Sequence, residues 1–508
     1  MEMRILAGCA AALFAGLCAC DVHGAAEGAV MAPRICPDPQ KAEISATEYF
    51  PLERVSVASE DASAAEWAKA HLQAWYGDFA PEVTGIRQDR GDADAASSPE
   101  GAYRLEIGAG GVKVSAKTLP GVRYALYSLR QLAIAKRGTA KVAGWIVPKA
   151  TVDDAPAMKF RGMHVCWFNE TEPWMVEREI RLAAFYKLNY VVLEPWGSFA
   201  SEVAPWYGWK GGRMTKAEIR RLKAIADDLG VTLVPQLNVF GHATMSRIVT
   251  GKHVALDVSP EYQPLFEPVG GWNWCLTNPE TRRLLVALIA ELHEAFGNPP
   301  YFHIGCDEAH PPSCPACLKR PYSEVLVEHI RAMREAIVAR GAKPMMWHDQ
   351  LLEKGDPRWT GFYAYGTKET AKAAAELPRD IVICDWHYAE AKDDYPTLTY
   401  FKELGYPVLT CPWEDKGGIL AQGRFAREHG LDGVLGTLWH HYYGQRIANI
   451  YVHTANAAWS VEPSVDAYGC NIRFMNDLRK IGWDMKLDDP DRAGVYVDQV
   501  PRRFEQND

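Results

Sequence analysis

Short apolar runs and amphipathic stretches alternate along the chain after Met158. Eight of the runs have the length and apolar content of buried strands. They span 160–167, 190–196, 231–238, 301–306, 344–348, 381–386, 407–412 and 433–439. Helical patterns lie between them, for example over 174–187, 216–229, 279–296, 323–340 and 419–428. Eight strand-then-helix units predict an α/β fold, a (β/α)8 TIM barrel over 157–475.

A doubly wound open sheet has the same strand–helix rhythm and is the alternative to the barrel. A nucleotide-binding sheet of that kind needs a glycine-rich phosphate loop after a strand, and no predicted strand is followed by one. The pattern therefore favours the barrel.

The segment 42–153 mixes the two periodicities and predicts a small α+β domain before the barrel. A strand is expected over 52–57 and a helix over 62–75. A hairpin is expected from 103–107 and 112–114 across a glycine-rich turn, and a second helix over 121–132. The linker to the barrel is predicted at 152–156.

The first residues predict export. Residues 5–17 are apolar or small and too short to span a bilayer, which is typical of a signal peptide over 1–19. The sequence Leu17-Cys-Ala-Cys20 resembles a bacterial lipobox, which makes Cys20 a candidate lipidated residue, with ordinary cleavage near Ala25 as the alternative. The mature chain is expected in the bacterial cell envelope through that lipid, or else periplasmic or secreted. Residues 20–41 are predicted to be a tether and 476–508 a C-terminal tail.

Composition narrows the class of partner. The 508 residues carry 55 Lys+Arg and 64 Asp+Glu, a net charge of −9, and no run of basic residues, which argues against nucleic acid. Tryptophan is unusually frequent, with 17 Trp against 16 Phe. Trp rings pack in cores and also stack on the faces of sugar rings. No feature of the sequence indicates an oligomeric state.

Candidate chemistry collects at the carboxyl ends of the predicted strands, where TIM barrels hold their active sites. Four of the last five strand ends place a Trp beside a carboxylate or a His, which favours a carbohydrate pocket. The candidates in strand order are Arg161 with His164, Glu194 with Trp196, Asn238 with His242, Asp307 with Glu308, Trp347 with His348 and Asp349, Asp385 with Trp386 and His387, Trp413 with Glu414 and Asp415, and Trp439 with His440 and His441.

The adjacent carboxylates Asp307 and Glu308 end the fourth predicted strand. Cleavage of a glycosidic bond usually takes two carboxyl groups, but the side chains of neighbouring residues diverge along a regular strand. One solution pairs Glu308 with a carboxylate from another strand end. The other uses the carbonyl oxygen of a 2-acetamido sugar as the nucleophile, with Glu308 as proton donor and Asp307 orienting the acetamido group.

The segment His303-Ile-Gly-Cys-Asp-Glu308 closely resembles the His-Ile-Gly-x-Asp-Glu motif of glycoside hydrolase family 20, the β-N-acetylhexosaminidases. Residues 101–132 resemble the end of that family's small N-terminal domain. Further resemblances lie at Phe160-Arg161-Gly162, at 187–190, at Gly241-His242, and at Trp347, Trp386 and Trp439.

The resemblance implies an exo-acting enzyme that removes terminal β-GlcNAc or β-GalNAc from glycans. Asp307 and Glu308 would be the catalytic pair of substrate-assisted retention through an oxazolinium intermediate. No cofactor and no metal is implied for that chemistry. The substrate-binding candidates are Arg161, Glu194, His242, Asp349, the pocket-wall residues Trp347, Trp386 and Trp439, and Trp413, Asp415 and His441.

Several positions depart from the family pattern. The second strand ends Leu-Glu-Pro-Trp-Gly at 193–197 where the family is rich in His and Asp, and Phe240 replaces a Pro. Trp413 stands where the family has a Tyr that binds the acetamido oxygen, and His441 where it has a Glu. The Cys-x-x-Cys segment looks like the branch that includes hexosaminidase D. Two alternatives stay open: a retaining glycosidase with Glu194, Asp349 or Glu414 as nucleophile, and a catalytically weak glycan-binding protein.

The cysteines are too sparse for a disulfide scaffold. Cys314 and Cys317 form a Cys-x-x-Cys pair that follows Cys306 and His310, a spacing able to bind zinc. A local disulfide and separate thiols are the alternatives.

Overall fold

The computed structural model describes residues 33–87, 99–137, 142–208, 212, 214–244, 255–268, 270–388, 390–439, 445–463 and 467–485. Within these ranges the chain forms a seven-stranded sheet followed by an eight-stranded sheet. The predicted signal peptide, the lipidation site Cys20 and His441 lie outside the described residues. No helix in the described ranges is long and apolar enough to cross a membrane.

The first sheet belongs to a small α+β domain, as predicted. Its strands are β1 (Lys41–Pro51), β2 (Arg54–Ser59), β3 (Glu82–Arg87), β4 (Tyr103–Gly108), β5 (Gly111–Ser115), β6 (Ile134–Arg137) and β7 (Val142–Asp154). The helices α1 (Ala64–Tyr76) and α2 (Leu119–Leu132) pack on it. The strand order is β1-β7-β4-β5-β2-β3, and β6 pairs with β7.

Two predicted boundaries of this domain are wrong. The predicted linker begins inside a strand, because β7 continues to Asp154. The predicted tether is packed against the body from residue 35 onward: Ile35 and Cys36 are buried, and the Asp38 N–H donates to Asn456 Oδ1 over 2.7 Å. These contacts join residues distant in sequence, so the polar composition of 20–41 did not reveal them.

The second sheet is the predicted barrel. Its strands are β8 (Phe160–Phe168), β9 (Tyr190–Trp196), β10 (Thr232–Pro235), β11 (Tyr301–His303), β12 (Lys343–Trp347), β13 (Val382–His387), β14 (Val408–Pro412) and β15 (Gly433–Thr437). Every pair between neighbouring strands is parallel, in the order β10-β9-β8-β15-β14-β13-β12-β11. A parallel bridge between Gln236 and His303 joins the two ends, so the sheet closes. All eight predicted strands are present.

Helices surround the barrel. They are α3 (Pro173–Phe185), α4 (Lys216–Leu229), α5 (Ala255–Val258), α6 (Pro279–Ala295), α7 (Tyr322–Val338), α8 (Lys368–Glu376), α9 (Pro396–Glu403), α10 (Lys416–Glu428), α11 (Gln445–Trp459) and α12 (Ala467–Asp484). Local sequence fixes several ends: Thr215 caps α4 and Gly230 ends it in the left-handed conformation, while Asn278 caps α6 ahead of Pro279.

The predicted end of the barrel at residue 475 falls inside α12. The helix continues to Asp484 and buries Phe474, Leu478 and Ile481, so the barrel unit extends at least to residue 484. Near its end, Asp484 pairs with Arg130 of the small domain at 2.5 Å. The prediction failed because this helix packs against both domains, a relation that local polarity does not show.

A buried carboxylate joins the two domains. Asp154, the last residue of β7, accepts hydrogen bonds from Tyr103 (2.7 Å), Lys187 Nζ (3.0 Å) and Trp459 Nε1 (2.9 Å). Lys187 is fully buried, and its charge is compensated by this one carboxylate. The small domain is thereby fixed to the amino-terminal side of the barrel, away from the carboxyl ends of the strands.

Candidate active site

Left-handed backbone marks the carboxyl end of the barrel. Four residues other than glycine have positive φ there: His242 (55°), Cys306 (80°), Glu308 (48°) and Trp439 (50°). Each such residue costs about 1–3 kcal/mol and persists only where the surrounding structure holds it, which is typical of functional sites. Strained backbone of this kind therefore occurs after β10, β11 and β15.

The carboxylates of Asp307 and Glu308 converge on one imidazole. His242 Nε2 lies 3.2 Å from Asp307 Oδ2 and 3.2 Å from Glu308 Oε2, and the three ligand atoms are within 4.8 Å of one another. The expectation that these side chains diverge is wrong, because β11 ends at His303 and the backbone at Glu308 is left-handed. The two neighbouring residues thus act as one acidic centre facing one side.

The two acidic side chains differ in exposure to solvent. The Asp307 side chain is 8% exposed, whereas the Glu308 side chain is 47% exposed. The loop before His242 also approaches closely: a Cβ at Gly241 would lie 2.2 Å from the carbonyl oxygen of Asp307. Glycine at 241 is therefore needed for His242 to reach the pair. The Asp307 carboxylate is therefore largely enclosed, and the Glu308 carboxylate is accessible at the carboxyl end of the barrel.

Asp349 binds the backbone of Glu308. Its Oδ2 accepts the backbone N–H of Glu308 over 2.8 Å, and its Oδ1 accepts Trp386 Nε1 over 3.2 Å. The residue has no exposed surface, so its predicted role as a pocket acid is corrected to a positioning role. Burial, assisted by the charge of Asp307, raises the pKa of Asp349 to about 7.

Replacing Asp349 by Asn is expected to change the pH dependence of stability. The folded-state pKa lies above the unfolded value, so ionising Asp349 costs stability progressively between about pH 4 and pH 7, and the full cost is present above pH 7. Asn cannot ionise. The Tm of Asp349→Asn minus that of the unmodified chain should therefore rise from pH 5 to pH 8. Exposed Asp393→Asn is the control, and the same Tm difference at both pH values would contradict the assignment.

Two of the predicted pocket-wall tryptophans are buried. Trp347 has no exposed surface and lies between His303 and Trp439, with ring centroids 4.4 and 5.6 Å away. Trp386 is 5% exposed and is covered by Tyr363 (4.4 Å, stacked) and Tyr388 (5.1 Å). These two rings shape the pocket from beneath rather than presenting a face to a ligand.

Half-buried rings supply the accessible aromatic surface. Trp439 and Trp413 both pack beside Tyr388, and Trp439 Nε1 donates to the Tyr388 hydroxyl over 2.8 Å. Further half-buried rings at this end of the barrel include Trp272, Tyr363 and Tyr365. Trp272 donates to the carbonyl oxygen of Glu308 over 2.7 Å. Sequence reasoning missed Trp272 and the three tyrosines because they lie in loops beyond the strand ends.

Glu194 is buried beside the ends of β9 and β10. It is 2% exposed, accepts Asn238 Nδ2 over 2.7 Å and lies 3.2 Å from His164 Nε2. His164 also packs 4.6 Å from the ring of Trp439, so Glu194 supports the floor of the site through His164.

The end of β14 carries three candidates with separate roles. Asp415 caps α10, its Oδ1 accepting the Gly418 N–H over 2.6 Å, and the residue is exposed. Glu414 pairs with Arg446 over 3.1 Å. Trp413 is the candidate at this strand end that contributes aromatic surface beside Tyr388.

Arg161 lies at the wrong end of the barrel to bind a substrate. It is the second residue of β8, and its guanidinium donates to the Lys187 and Met158 carbonyl oxygens and to the Tyr124 hydroxyl over 2.8–3.0 Å. The seven residues of β8 that follow it separate it from the carboxyl end by about 23 Å. The predicted sugar contact is therefore corrected to a structural contact with the small domain.

The predicted metal ligands also separate. The Cys306 thiol is fully buried and contacts the Ile304 carbonyl oxygen, while His310 is exposed and stacks on Trp272. Cys314 and Cys317 instead lie with Cys275 and Glu267, their ligand atoms within 4.8 Å of one another. The group His164, Cys166 and Glu194 shows the same spacing of ligand atoms.

Two models of known protein families match the chain. The profile of the glycosyl hydrolase family 20 catalytic domain matches residues 159–414, and that of glycosyl hydrolase family 20 domain 2 matches residues 32–155. The chain belongs to glycosyl hydrolase family 20. The family resemblance and the predicted two-domain fold are thereby confirmed.

Relatives of known name cover part of the chain. It is 28% identical over 215 residues to the lacto-N-biosidase of Bifidobacterium bifidum, covering 41% of this chain and 17% of that protein. It is 24% identical over 389 residues to the beta-hexosaminidase of Vibrio furnissii, covering 66% of this chain and 59% of that protein. The matches thus span less than two thirds of these relatives' length.

Solved structures share the fold. The β-N-acetylhexosaminidase of Bacteroides fragilis superposes with a TM-score of 0.64 at 19% identity, covering 88% of this chain and 95% of that one. A family 20 exo-β-N-acetylglucosaminidase from Vibrio harveyi, solved with N-acetylglucosamine, gives a TM-score of 0.62 at 17% identity, covering 89% and 77%.

Proposed function

We propose that this family 20 protein is an exo-acting β-N-acetylhexosaminidase that hydrolyses terminal β-GlcNAc or β-GalNAc by substrate-assisted retention. The observation that carries the proposal is the acidic centre of Asp307 and Glu308 on His242 at the carboxyl end of the barrel. The names of the Vibrio furnissii and Bacteroides fragilis proteins, and the sugar in the Vibrio harveyi structure, support this class of substrate.

The geometry favours a nucleophile from the substrate. Asp307 and Glu308 contact the same nitrogen, so they face one side and are poorly placed to attack and protonate from opposite faces of a sugar ring. Glu194 and Asp349, two of the candidate protein nucleophiles, are 2% and 0% exposed. The third, Glu414, is paired with Arg446.

In the proposed reaction, Glu308 gives its proton to the glycosidic oxygen while the acetamido carbonyl oxygen bonds to the anomeric carbon. The leaving group departs, and the sugar becomes an oxazolinium ion. Buried Asp307 accepts the acetamido N–H and stabilises the positive charge of the ring. Glu308 then takes a proton from water as that water attacks the anomeric carbon, which restores the acetamido group and retains the configuration.

The half-buried aromatic rings support the binding of a pyranose face. Trp439 donates to the Tyr388 hydroxyl, and the ring of Trp413 packs against the ring of Tyr388. Tyr365 lies close to Glu308: burial raises the pKa of Tyr365, and the negative charge of Glu308 raises that pKa further. Rings in this arrangement stack on the C–H face of a sugar while the carboxylates bind its polar groups.

We also propose that the protein is exported. The support for export is the apolar segment 5–17 and the Leu-Cys-Ala-Cys sequence at 17–20. A lipid on Cys20 would place the enzyme at the cell envelope, and ordinary cleavage would release it to the periplasm or medium.

Hydrolysis of three aryl glycosides tests the activity. The chain is assayed on the β-N-acetylglucosaminide, the β-N-acetylgalactosaminide and the β-glucoside of one phenol. We expect turnover of at least one acetamido sugar. The kcat/KM for the glucoside should be lower by a factor of about a hundred or more, because the glucoside lacks the nucleophile. Equal turnover of the glucoside would support a protein nucleophile instead. Binding of the acetamido sugars without turnover of any substrate would support the glycan-binding alternative.

A further inference from the structure

Three cysteines and a glutamate meet beside the active site. Cys275, Cys314, Cys317 and Glu267 are all buried, with exposures of 6%, 9%, 0% and 4%. Their three sulfur atoms and a carboxylate oxygen lie within 4.8 Å of one another. The reaction proposed above uses none of these groups. We propose that they form a tetrahedral zinc site of three thiolates and one carboxylate.

The sulfur spacing matches tetrahedral zinc. Zinc–sulfur bonds of about 2.3 Å at tetrahedral angles place two sulfurs about 3.8 Å apart. Cys275 Sγ lies 3.6 Å from Cys314 Sγ and 3.9 Å from Cys317 Sγ. A disulfide would join two of the three sulfurs and leave the third thiol beside Glu267.

The backbone is arranged to support thiolates. In the turn Cys314-Pro-Ala-Cys317, the N–H of Cys317 donates to Cys314 Sγ over 3.2 Å. Thr277 Oγ1 lies 3.2 Å from Cys317 Sγ. Hydrogen bonds of this kind stabilise and orient the ligands around a metal.

Glu267 lacks a compensating charge. Its Oε2 accepts the backbone N–H groups of Ser313 (2.7 Å) and Cys314 (2.6 Å). Its buried Oε1 accepts no hydrogen bond from an N–H or O–H group in the described part of the chain, and no Lys, Arg or His there pairs with the carboxylate. A buried carboxylate is costly without a counter-charge, and a divalent cation supplies one.

The four ligands come from two segments that build the active site. An antiparallel bridge between Phe266 and Trp274 places Glu267 next to Cys275, while Cys314 and Cys317 follow Glu308 in the loop after β11. The same segments also meet through Asn273, which exchanges hydrogen bonds with the backbone of His310 over 2.6 and 3.0 Å. Zinc here would fasten the segment of Trp272 to the loop of Glu308, which Trp272 contacts.

Elemental analysis of the full chain, purified without a polyhistidine tag or chelator, tests the site. We expect about one zinc per chain, and less than about a tenth of that in Cys317→Ser. Cys36→Ser, which changes a buried cysteine of the small domain, should keep the metal. No zinc in the unmodified chain, zinc retained by Cys317→Ser, or iron in its place would overturn the proposal. An intact mass about 2 Da low, together with a peptide map that assigns the disulfide to two of these three cysteines, would do the same.

A second measurement serves if Cys317→Ser does not fold. X-ray absorption at the zinc edge of the unmodified chain should show three sulfurs at about 2.3 Å and one oxygen at about 2.0 Å. A shell of nitrogen and oxygen atoms alone would overturn the proposal. Glu267→Gln should bind zinc about tenfold or more weakly in a chelator competition, and unchanged affinity would exclude Glu267 as the fourth ligand.

Discussion

Replacing Glu308 by Gln is expected to lower kcat about a thousandfold on substrates with a basic leaving group. Glutamine keeps the size of the side chain and its contact with His242, but it has no proton to give to the glycosidic oxygen. The measurements are kcat and kcat/KM for the unmodified chain and Glu308→Gln on the phenyl and the dinitrophenyl β-N-acetylglucosaminides, and the two leaving groups are compared by kcat/KM, which reports the first step alone. Dinitrophenolate leaves without a proton, so the loss in the first step should shrink sharply on that substrate.

Two further variants sharpen this test. Glu335→Gln, at an exposed position on α7, is the matched control and should keep full activity. Glu414→Gln separates the mechanisms: substrate assistance predicts a rate near that of the unmodified chain, whereas a nucleophilic Glu414 predicts a loss as large as that of Glu308→Gln. An equal loss of kcat/KM for Glu308→Gln on both leaving groups would show that Glu308 is not the acid.

Asp307→Asn is expected to lower kcat about a hundredfold, with a smaller change in KM. The amide fills the same volume but lacks the charge that stabilises the oxazolinium ion, and its N–H₂ group opposes the acetamido N–H. The loss arises mainly in the transition state, so a thiazoline mimic of the oxazolinium ion should also bind about a hundredfold more weakly. The measurements are kcat, KM and the thiazoline inhibition constant.

The control for this variant is Asp393→Asn, at an exposed carboxylate. It should change neither kcat nor the inhibition constant. Thiazoline inhibition that is unaltered in Asp307→Asn, beside a lowered kcat, would place Asp307 outside the acetamido subsite and return its role to the orientation of His242.

The barrel could be predicted because its strands are apolar on both faces. β8 is buried along all nine residues, and such runs are visible as continuous hydrophobic sequence. Asp307 and Glu308 stand out at the end of one such run. The edges of the small domain were less visible: β1 and β3 are largely exposed, so their sequences lack the contrast that indicates a strand.

Contacts between distant segments could not be predicted. Arg161 shares its strand with pocket residues, and only the strand direction and the Tyr124 hydroxyl reveal that it faces the small domain. Cys275 joins Cys314 from 39 residues away, so local spacing suggested Cys306 instead. The convergence of Asp307 and Glu308 depends on left-handed backbone at Glu308. A glutamate in the sequence does not indicate this conformation, which is most common in glycine.

The central claim is that the 2-acetamido group is the nucleophile, aided by Asp307 and Glu308. Comparing the N-acetyl and N-trifluoroacetyl forms of one aryl β-glucosaminide tests it most directly, because fluorine withdraws electrons from the attacking carbonyl oxygen. The account predicts that kcat/KM of the unmodified chain falls about a hundredfold or more on the trifluoroacetyl substrate. Rates within about twofold of each other would contradict it and assign the attack to a protein carboxylate.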